Sequence, residues 1–252
     1  MNSLISIIII NKDNFNYLKQ CLKSIEKYTK NVNYEIIIVD NASNDKSFYN
    51  TLDSNFKGKI IEHDINKSFS ESNNRGVKEA NGDYICLLNN DTIVTKNWLF
   101  NALKAFKQEK KIGAVGVKIL MPGKGTIHHA GVKSFANGLT DHIYFNKPAD
   151  YKKANKQYQC FAVTAACLLT KKSIYKKVDG LDEQYWYGWE DVDFCNKLKS
   201  LNYKIVYEPT SVIYHYESRT PGRYYAENDN INIYMQRWIY SGKLTRKDLE
   251  WT

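Results

Sequence analysis

The sequence predicts an α/β protein with a mostly parallel central sheet flanked by helices, folded as a single domain of 252 residues. Short apolar runs recur through the first half of the chain, and segments with apolar residues at helical spacing lie between them. Most of these runs do not alternate with polar residues, which is typical of strands covered on both faces. Because strand and helix signals alternate along the chain, a parallel sheet with helices on both sides is the expected arrangement.

The first half of the chain supplies the regular part of this pattern. Strands are predicted over residues 4–10, 34–39, 59–62, 84–88 and 112–120. A first helix presents Leu18, Cys21 and Ile25 on one face. A second is expected over 69–80, where Asn81-Gly82 follows as a stop signal, and a third up to Phe106, with Thr95 as its N-cap.

The second half is less regular. Residues 121–159 contain glycines, histidines and aromatics without a period, and loops of this length are usually functional or mobile. The remaining predictions are a strand over 161–170, a short helix capped by Ser173, a helix that starts near 190–193, strands over 203–207 and 212–216 separated by Pro209, and a helical tail from 224.

Composition narrows the class of protein. The 43% hydrophobic content suits a globular core, and neither a membrane-spanning run nor a signal-peptide layout is found. Five scattered cysteines without CxxC spacing indicate a reduced, cytoplasmic protein with no cysteine metal site. The net charge of +9 suits phosphate-bearing substrates or a peripheral contact with the inner membrane surface. Nothing besides charge favours nucleic acid, so no nucleic-acid partner is expected.

Polar side chains follow the predicted strands at their carboxyl ends, where open α/β sheets bind ligands. These residues are Asn11, Asp13, Asp40 and the run Asn89-Asn90-Asp91. Asp91 is a hard oxygen ligand that suits Mg²⁺ or Mn²⁺ with phosphate oxygens. The chain lacks the GxGxxG, GxxxxGK[ST] and GxSxG motifs, so a nucleotide would be bound by side chains at the strand ends. The alternative is that Asp40 and the Asn/Asp cluster only stabilise turns.

A series of motifs in the same order resembles family 2 glycosyltransferases of the GT-A fold. They lie at 6–11, 37–43, 74–76, 82–84, 88–92, 180–183, 189–195 and 214–218. Residues 128–132 and 164–167 resemble the rhamnosyltransferase-like subgroup found in bacterial polysaccharide and O-antigen clusters. The resemblance implies a Rossmann-like nucleotide-sugar half over 1–120, an acceptor and catalytic half over 121–223, and a separate helical tail over 224–252.

The resemblance also implies roles for individual residues. Asp91 stands where the DxD motif of the family ends, and Asn89 and Asn90 replace its first carboxylate and spacer. Asp91 and His215 are the expected ligands of Mn²⁺ or Mg²⁺, and the donor is expected to be a UDP- or dTDP-sugar. The nucleotide-sugar site would consist of Asn11, Asp13, Asp40, Arg75, Asn89, Asn90 and Asp91.

Asp191 matches the catalytic base of the family, and the implied reaction inverts the anomeric carbon. The alternative for the acidic run 190–193 is stabilisation of a helix N-terminus. Trp186, Trp189, Glu190 and His129 are candidate acceptor or sugar contacts. The acceptor is expected to be a glycan, a lipid-linked sugar or a glycoprotein. Two other functions stay open: a catalytically weak nucleotide-sugar or glycan-binding module, and a sugar nucleotidyltransferase, although the glycine-rich first loop expected of the latter is absent.

Overall fold

The structure, a computed structural model, describes residues 3–52, 56, 58–216 and 227–249. Its first half contains the predicted strands and helices, with ends that differ by a few residues. The elements are β1 (Leu4–Asn11), α1 (Phe15–Tyr28), β2 (Asn33–Asp40), a 3₁₀ turn (Ser47–Thr51), β3 (Gly58–Glu62), α2 (Phe69–Glu79), β4 (Tyr84–Leu88), β5 (Thr92–Val94), α3 (Trp98–Phe106) and β6 (Ile112–Leu120).

The second half holds shorter elements. They are β7 (Ile127–His129), β8 (Val132–Ser134), β9 (Thr140–His142), a 3₁₀ turn (Lys152–Asn155), β10 (Tyr158–Gln159), β11 (Cys167–Lys171), α4 (Lys172–Lys177), α5 (Glu190–Ser200), β12 (Lys204–His215), α6 (Glu227–Tyr234), a π-helical stretch (Met235–Tyr240) and α7 (Arg246–Leu249). Within the described residues, no helix is long and apolar enough to cross a membrane.

Ten of the described strands form one sheet, whose main path runs β10-β12-β6-β11-β4-β1-β2-β3. The neighbours β1 and β2, β2 and β3, β1 and β4, and β6 and β12 are parallel. The sheet is therefore mostly parallel, as predicted. Off this main path, β5 pairs with β12 and β7 pairs with β6. Strands β8 and β9 form a separate hairpin.

Strand β11 interrupts the parallel order, because it lies between β4 and β6 and is antiparallel to both; β10, β5 and β7 at the margins of the sheet are also antiparallel to their partners. Its first residue, Cys167, pairs with Leu88, the last residue of β4. Consequently the backbone that leads into β11 crosses the carboxyl end of β4, where Asn89 N–H donates to Ala166 O at 3.0 Å. This arrangement brings residues 164–166 into the region where parallel strands bind ligands.

The buried surface explains the apolar runs in the sequence. Ile5, Ile7, Ile8 and Ile9 of β1 are all fully buried, which is typical of a central parallel strand, and α2 packs against it. Burial of each such side chain contributes about 1.5–3 kcal/mol. The one polar residue within this run, Ser6, accepts a hydrogen bond from Gly82 N–H at 2.8 Å and donates to Glu35.

Three predictions for the second half are wrong in part. Only Cys167–Lys171 of the predicted strand 161–170 is a strand, because the preceding backbone makes irregular contacts instead of ladder bonds. The segment 121–159 contains β7 to β10, which are too short to show a period. Pro209 does not divide β12, which continues through it. Because proline has no N–H to donate to the ladder, the pairing is interrupted there, and the register shifts between Glu208 and Val212.

Two predicted helix caps are also wrong. Helix α3 begins at Trp98 after Asn97 in a left-handed conformation, and the hydroxyl of Thr95 donates to Val212 O instead. Helix α4 begins at Lys172, so Ser173 lies inside it. The proposed boundary between residues 223 and 224 falls outside the described residues and stays a prediction.

Candidate active site

A chain of hydrogen bonds joins the carboxyl ends of β2, β1 and β4. Tyr49 Oη donates to Asp40 Oδ1 at 2.8 Å, and Asn11 Nδ2 donates to Tyr49 Oη at 3.3 Å. Asn90 Nδ2 then donates to Asn11 Oδ1 at 2.7 Å. The structure thus brings three of the predicted nucleotide-site residues into one network at the edge of the sheet.

Asp40 also stabilises its own turn. Its side chain is buried, the Ser43 hydroxyl donates to Oδ1, and Ser43 N–H donates to Oδ2 at 3.2 Å. The turn-forming alternative for Asp40 is therefore supported. It does not exclude ligand binding, since Oδ2 accepts a single bond here and each carboxylate oxygen has two lone pairs.

Asp13 and Arg75 are not members of this network, although Asp13 N–H donates to the Ser43 hydroxyl at 3.0 Å beside Asp40. Asp13 is exposed, and its carboxylate accepts hydrogen bonds from the backbone and side chain of Asn44 at 2.6 and 3.0 Å. Arg75 is exposed on α2, where it assists burial in lowering the pKa of His63. Neither residue lines the cavity described below.

The pairing of β5 with β12 places His215 beside Asp91. Thr92, the first residue of β5, lies opposite His215, the last residue of β12. His215 Nε2 lies 3.0 Å from Asp91 Oδ1 and 3.2 Å from Asn89 Nδ2, and both Asp91 and His215 are buried. A carboxylate oxygen and an imidazole nitrogen, distant in sequence, therefore face one point.

This pair fits a divalent cation. Two adjacent donors around an octahedral ion with bonds of about 2.1 Å lie roughly 3 Å apart. An oxygen and a nitrogen donor together suit Mn²⁺ as well as Mg²⁺. Among the described residues no cluster of three or more His, Cys, Asp or Glu side chains could hold a metal ion. Asp91 and His215 would therefore need further donors from a ligand such as a diphosphate.

A cavity of about 290 Å³ opens beside this pair. Asn89 and His215 form part of its wall, and Asp191 lies in the wall as well. The other lining residues are Phe69, His128, Val132, Thr140, Asp141, His142, Thr164, Ala165, Ala166, Tyr187, Gly188, Trp189, Glu190 and Val192. His215 of the candidate metal pair and the candidate base Asp191 therefore line one cavity, whereas Asp91 lies behind His215 and outside the lining.

Asp191 lies in the first turn of α5 and is partly exposed to the cavity. Its Oδ2 accepts a hydrogen bond from Ala165 N–H at 3.1 Å, in the backbone that precedes β11. An anionic side chain at a helix N-terminus is stabilised in its charged form, which suits a general base. Glu190 is buried in the same wall, whereas Asp193 is fully buried and does not line the cavity.

The aromatic candidates separate into two groups. Trp189 and Tyr187 line the cavity, and the Tyr187 ring packs against Phe69 with centroids 5.7 Å apart. Trp186 is 43% exposed and is not part of the lining. Trp189 therefore remains a candidate sugar contact on geometry, and Trp186 does not.

The histidines of β7 have different positions from those expected. His128, and not His129, lines the cavity, where its ring lies 5.4 Å from that of His215. His129 is fully buried, and its Nδ1 lies 2.8 Å from His142 Nδ1. Burial and the neighbouring imidazoles hold the pKa of His129 well below its ordinary value. His129 is enclosed and does not line the cavity, so its assignment as an acceptor or sugar contact stays a prediction that this cavity does not support.

The contribution of β9 to the cavity was not predicted. Thr140, Asp141 and His142 are among the lining residues, although no motif marked them. The only available signal was a cluster of polar residues in the segment without a period. Arg219 and Arg223, which follow His215 in the sequence, lie outside the described residues.

Comparison with known protein families identifies matching profiles. The profile "Glycosyl transferase family 2" matches residues 6–179, and "N-terminal domain of galactosyltransferase" matches 148–219. The chain is 32% identical over 87% of its length to the uncharacterized protein y4gI of Sinorhizobium fredii. It is 26% identical over 85% to the O-antigen biosynthesis protein RfbC of Myxococcus xanthus, and 27% over 71% to a poly-beta-1,6-N-acetyl-D-glucosamine synthase of Staphylococcus epidermidis. The chain spans 25%, 17% and 42% of these relatives.

Two solved structures share the fold. GalNAc-T7, solved with UDP, GalNAc and Mn²⁺, matches 84% of this chain and 44% of its own, with a TM-score of 0.70 and 16% identity. The mannosyltransferase PcManGT of Pyrobaculum calidifontis, in complex with GDP-Man and Mn²⁺, matches 94% of this chain and 64% of its own, with a TM-score of 0.67 and 13% identity. At these identities the similarity shows the fold alone, and it confirms the predicted GT-A architecture.

Proposed function

Because the chain belongs to glycosyl transferase family 2, we propose that it transfers a sugar from a nucleoside-diphosphate sugar to an acceptor hydroxyl. The donor is a UDP- or dTDP-sugar, and the acceptor is a bacterial glycan or a lipid-linked sugar. The reaction is metal-dependent and inverts the anomeric carbon. The names of the relatives, O-antigen biosynthesis protein and poly-beta-1,6-N-acetyl-D-glucosamine synthase, support a role in polysaccharide synthesis.

One observation carries this proposal: His215 and Asp191 line the same cavity. A leaving diphosphate needs compensation of its negative charge, and an acceptor hydroxyl needs a base. The two chemical groups that meet these needs therefore face one enclosed space. Its volume, about 290 Å³, is near the lower end of the roughly 300–1,000 Å³ typical of small-molecule sites. This size suits the reacting sugar rather than a whole nucleotide sugar.

The nucleotide would lie along the carboxyl edge of β2, β1 and β4, outside the cavity. The network from Asp40 through Tyr49 and Asn11 to Asn90 provides buried acceptors and donors there. Asp40 is the candidate for an N–H of the base, because its Oδ2 keeps acceptor capacity. Asp13 and Arg75, both exposed, are candidates only for the outer rim of this site.

The transfer itself is assigned to Asp191. The carboxylate accepts the proton of the acceptor hydroxyl as the oxygen attacks the anomeric carbon on the face opposite the diphosphate. The bond between the anomeric carbon and the diphosphate oxygen breaks, and the configuration is inverted. A divalent cation held by Asp91 and His215 would compensate the negative charge on the departing diphosphate.

We propose that the reaction takes place in the cytoplasm, at or near the membrane face where a lipid-linked acceptor would lie. All five cysteines are free and buried, which agrees with a reducing compartment. The surplus of basic residues, 36 Lys and Arg against 27 Asp and Glu, agrees with an anionic surface.

The test is hydrolysis of a panel of UDP-, dTDP- and GDP-sugars, followed as released nucleoside diphosphate with Mn²⁺ and with EDTA. Metal-dependent release from one donor is the expected result, and loss of turnover in Asp191→Asn with unchanged nucleotide affinity would exclude a simple binding module. Pyrophosphate release from a nucleoside triphosphate and a sugar 1-phosphate would instead indicate a nucleotidyltransferase. If no sugar nucleotide or nucleoside diphosphate raises the melting temperature, the proposal is wrong.

A further inference from the structure

The C-terminal segment, residues 227–249, contacts the chain immediately before Asp191. Tyr234 packs its ring on Trp189, with centroids 4.7 Å apart. Trp189 is the N-cap of α5, has a left-handed backbone (φ +73°), and makes no capping hydrogen bond with its side chain. The start of α5 therefore lacks the local side-chain cap that usually fixes a helix N-terminus.

The same segment contacts Asp193, two positions after Asp191 in the first turn of α5. Asp193 is fully buried, and its Oδ1 accepts from Trp238 Nε1–H at 2.7 Å and from Arg237 at 3.0 Å. A third donor, the Tyr185 hydroxyl, lies 3.3 Å away. A buried carboxylate is stable only with such partners. Two of these three donors come from the C-terminal segment.

A further contact fixes the backbone that leads to Trp189. Asn230 is buried; its Nδ2 donates to Tyr187 O at 2.7 Å, and its Oδ1 accepts from Trp186 N–H at 3.3 Å. Tyr187 and Trp189 both line the cavity. The segment thus holds the chain at residues 186–189 and again at 193, and Asp191 lies between these two points.

We propose that Arg237 and Trp238 are positioning residues that act through Asp193 on the orientation of Asp191. This inference rests on the proposed function, because it assigns Asp191 as the base. Neither side chain lines the cavity, so their effect is on geometry alone. A shift of about 1 Å in a catalytic group lowers the rate by as much as about 100-fold. The donor's nucleotide site lies at the ends of β1, β2 and β4, so its affinity is expected to stay unchanged.

Three variants of the full chain test the proposal. Trp238→Phe keeps an aromatic ring at this buried position, but it removes the Nε1–H donor together with part of the indole. Arg237→Ala removes the ion pairs to Asp193 and Asp182, and Arg237→Lys retains a positive charge there. The matched control is Tyr240→Ala, since Tyr240 is 68% exposed in the same segment. Measurements are kcat and KM for transfer, calorimetric Kd for the nucleoside diphosphate, and melting temperature.

We expect kcat to fall by about 10- to 100-fold in Trp238→Phe and Arg237→Ala with the Kd for nucleoside diphosphate unchanged. Arg237→Lys should recover part of the loss, and Tyr240→Ala should match the parent. The double variant Arg237→Ala/Asp193→Asn should lose less than the product of the two single losses, because both disrupt one contact.

Wild-type kcat in folded Trp238→Phe and Arg237→Ala would overturn the inference. If Arg237→Ala does not fold, Trp238→Phe decides alone. Equal losses of kcat and nucleotide affinity would also overturn it, because a general structural role predicts that pattern. A parent chain that turns over no donor would instead overturn the proposed function, and this inference with it.

Discussion

His215 Nε2 lies 3.0 Å from Asp91 Oδ1, although the two residues belong to opposite halves of the chain. The contact arises because β5, directly after Asp91, pairs with the last residues of β12. Tyr216 N–H then donates to Asp91 O at 3.0 Å, so the backbone on both sides of the pair is fixed. A metal-binding role therefore has a rigid scaffold, which is what a preorganised ligand pair requires.

Removal of either member of this pair should weaken metal binding. We expect Asp91→Asn and His215→Ala to raise the Kd for Mn²⁺, measured by calorimetry with nucleoside diphosphate present, by more than the roughly 10- to 100-fold typical of residues that only orient ligands. Asp64→Asn, an exposed carboxylate, is the control. Treatment with EDTA should abolish turnover, and Mn²⁺ should restore it in the parent alone. Unchanged Mn²⁺ affinity in both variants would contradict the assignment of this pair.

Asp191 should be essential for turnover and dispensable for binding. General-base catalysis contributes about 10²- to 10⁴-fold, so Asp191→Asn should lower kcat by that factor. Its Kd for the nucleoside diphosphate should not change, because the nucleotide network does not include α5. Asp150→Asn, an exposed carboxylate, should behave like the parent chain. Substantial turnover in Asp191→Asn would mean that another group, such as Glu190 in the same wall, takes the proton.

The elements that the sequence predicted well are those whose burial repeats along several residues. Strand β1 was found because Ile5 to Ile9 are buried on both faces, so its burial is visible as a continuous apolar run. The predicted strand 161–170 was too long, because residues 161–166 are mostly buried, as β11 is, but lie outside any strand, and composition does not distinguish the two. Pro209 misled for a related reason: the missing N–H predicts a break, but tertiary contacts retain the strand across an irregularity in register.

The residues of the candidate site likewise divide into those that the sequence predicted and those that it did not. Asn11, Asp40 and Asn90 lie at the ends of neighbouring parallel strands, so the strand ends predicted that they would lie together. The role of β9 in the cavity was not predictable, since His142 comes to the wall through a three-residue strand without a period. The burial of His129 was not predictable either. Neighbouring residues of a strand point to opposite faces, and a three-residue strand does not reveal which of the two histidines faces the cavity.

Gly76 in α2 should not tolerate a methyl group. A Cβ at this position would lie 2.5 Å from Ile8 Cγ2 and 3.1 Å from Val39 Cγ2. Overpacking costs about 1–3 kcal/mol, and alanine returns up to about 1 kcal/mol in helix propensity. Since Ile8 is fully buried and its Cγ2 is attached directly to Cβ, this methyl group has little freedom to yield, and we expect net destabilisation in Gly76→Ala. Urea unfolding measures it, and Lys78→Ala on the exposed face of α2 is the control. An unchanged or higher stability would show that α2 shifts freely over the sheet.

Lys199 should make stability depend on pH in the neutral to alkaline range. Its ammonium lies 3.2 Å from the centre of the Phe161 ring and has no hydrogen-bond partner among the described residues. Burial lowers the pKa of Lys199 from 10.5 to about 7, and Cys195, Cys160 and Asp248 only partly oppose this shift. Below pH 7 Lys199 is protonated in both the folded and the unfolded chain, so the folded chain carries the full cost of a buried cation. Above pH 7 Lys199 loses its proton in the folded chain before it does so in the unfolded chain.

Between these two pKa values the unfolded chain binds more protons, so the free energy of unfolding rises with pH. The slope contributed by Lys199 is at most about 1.4 kcal/mol per pH unit. Tyrosines and cysteines also titrate above neutrality, so the quantity to measure is the difference in unfolding free energy between Lys199→Met and the parent. We expect Lys199→Met to be the more stable at about pH 7, and its advantage to shrink toward about pH 9. Lys104→Met, on an exposed face, should show no such trend. A difference that stays constant with pH would mean that Lys199 remains charged in the folded protein.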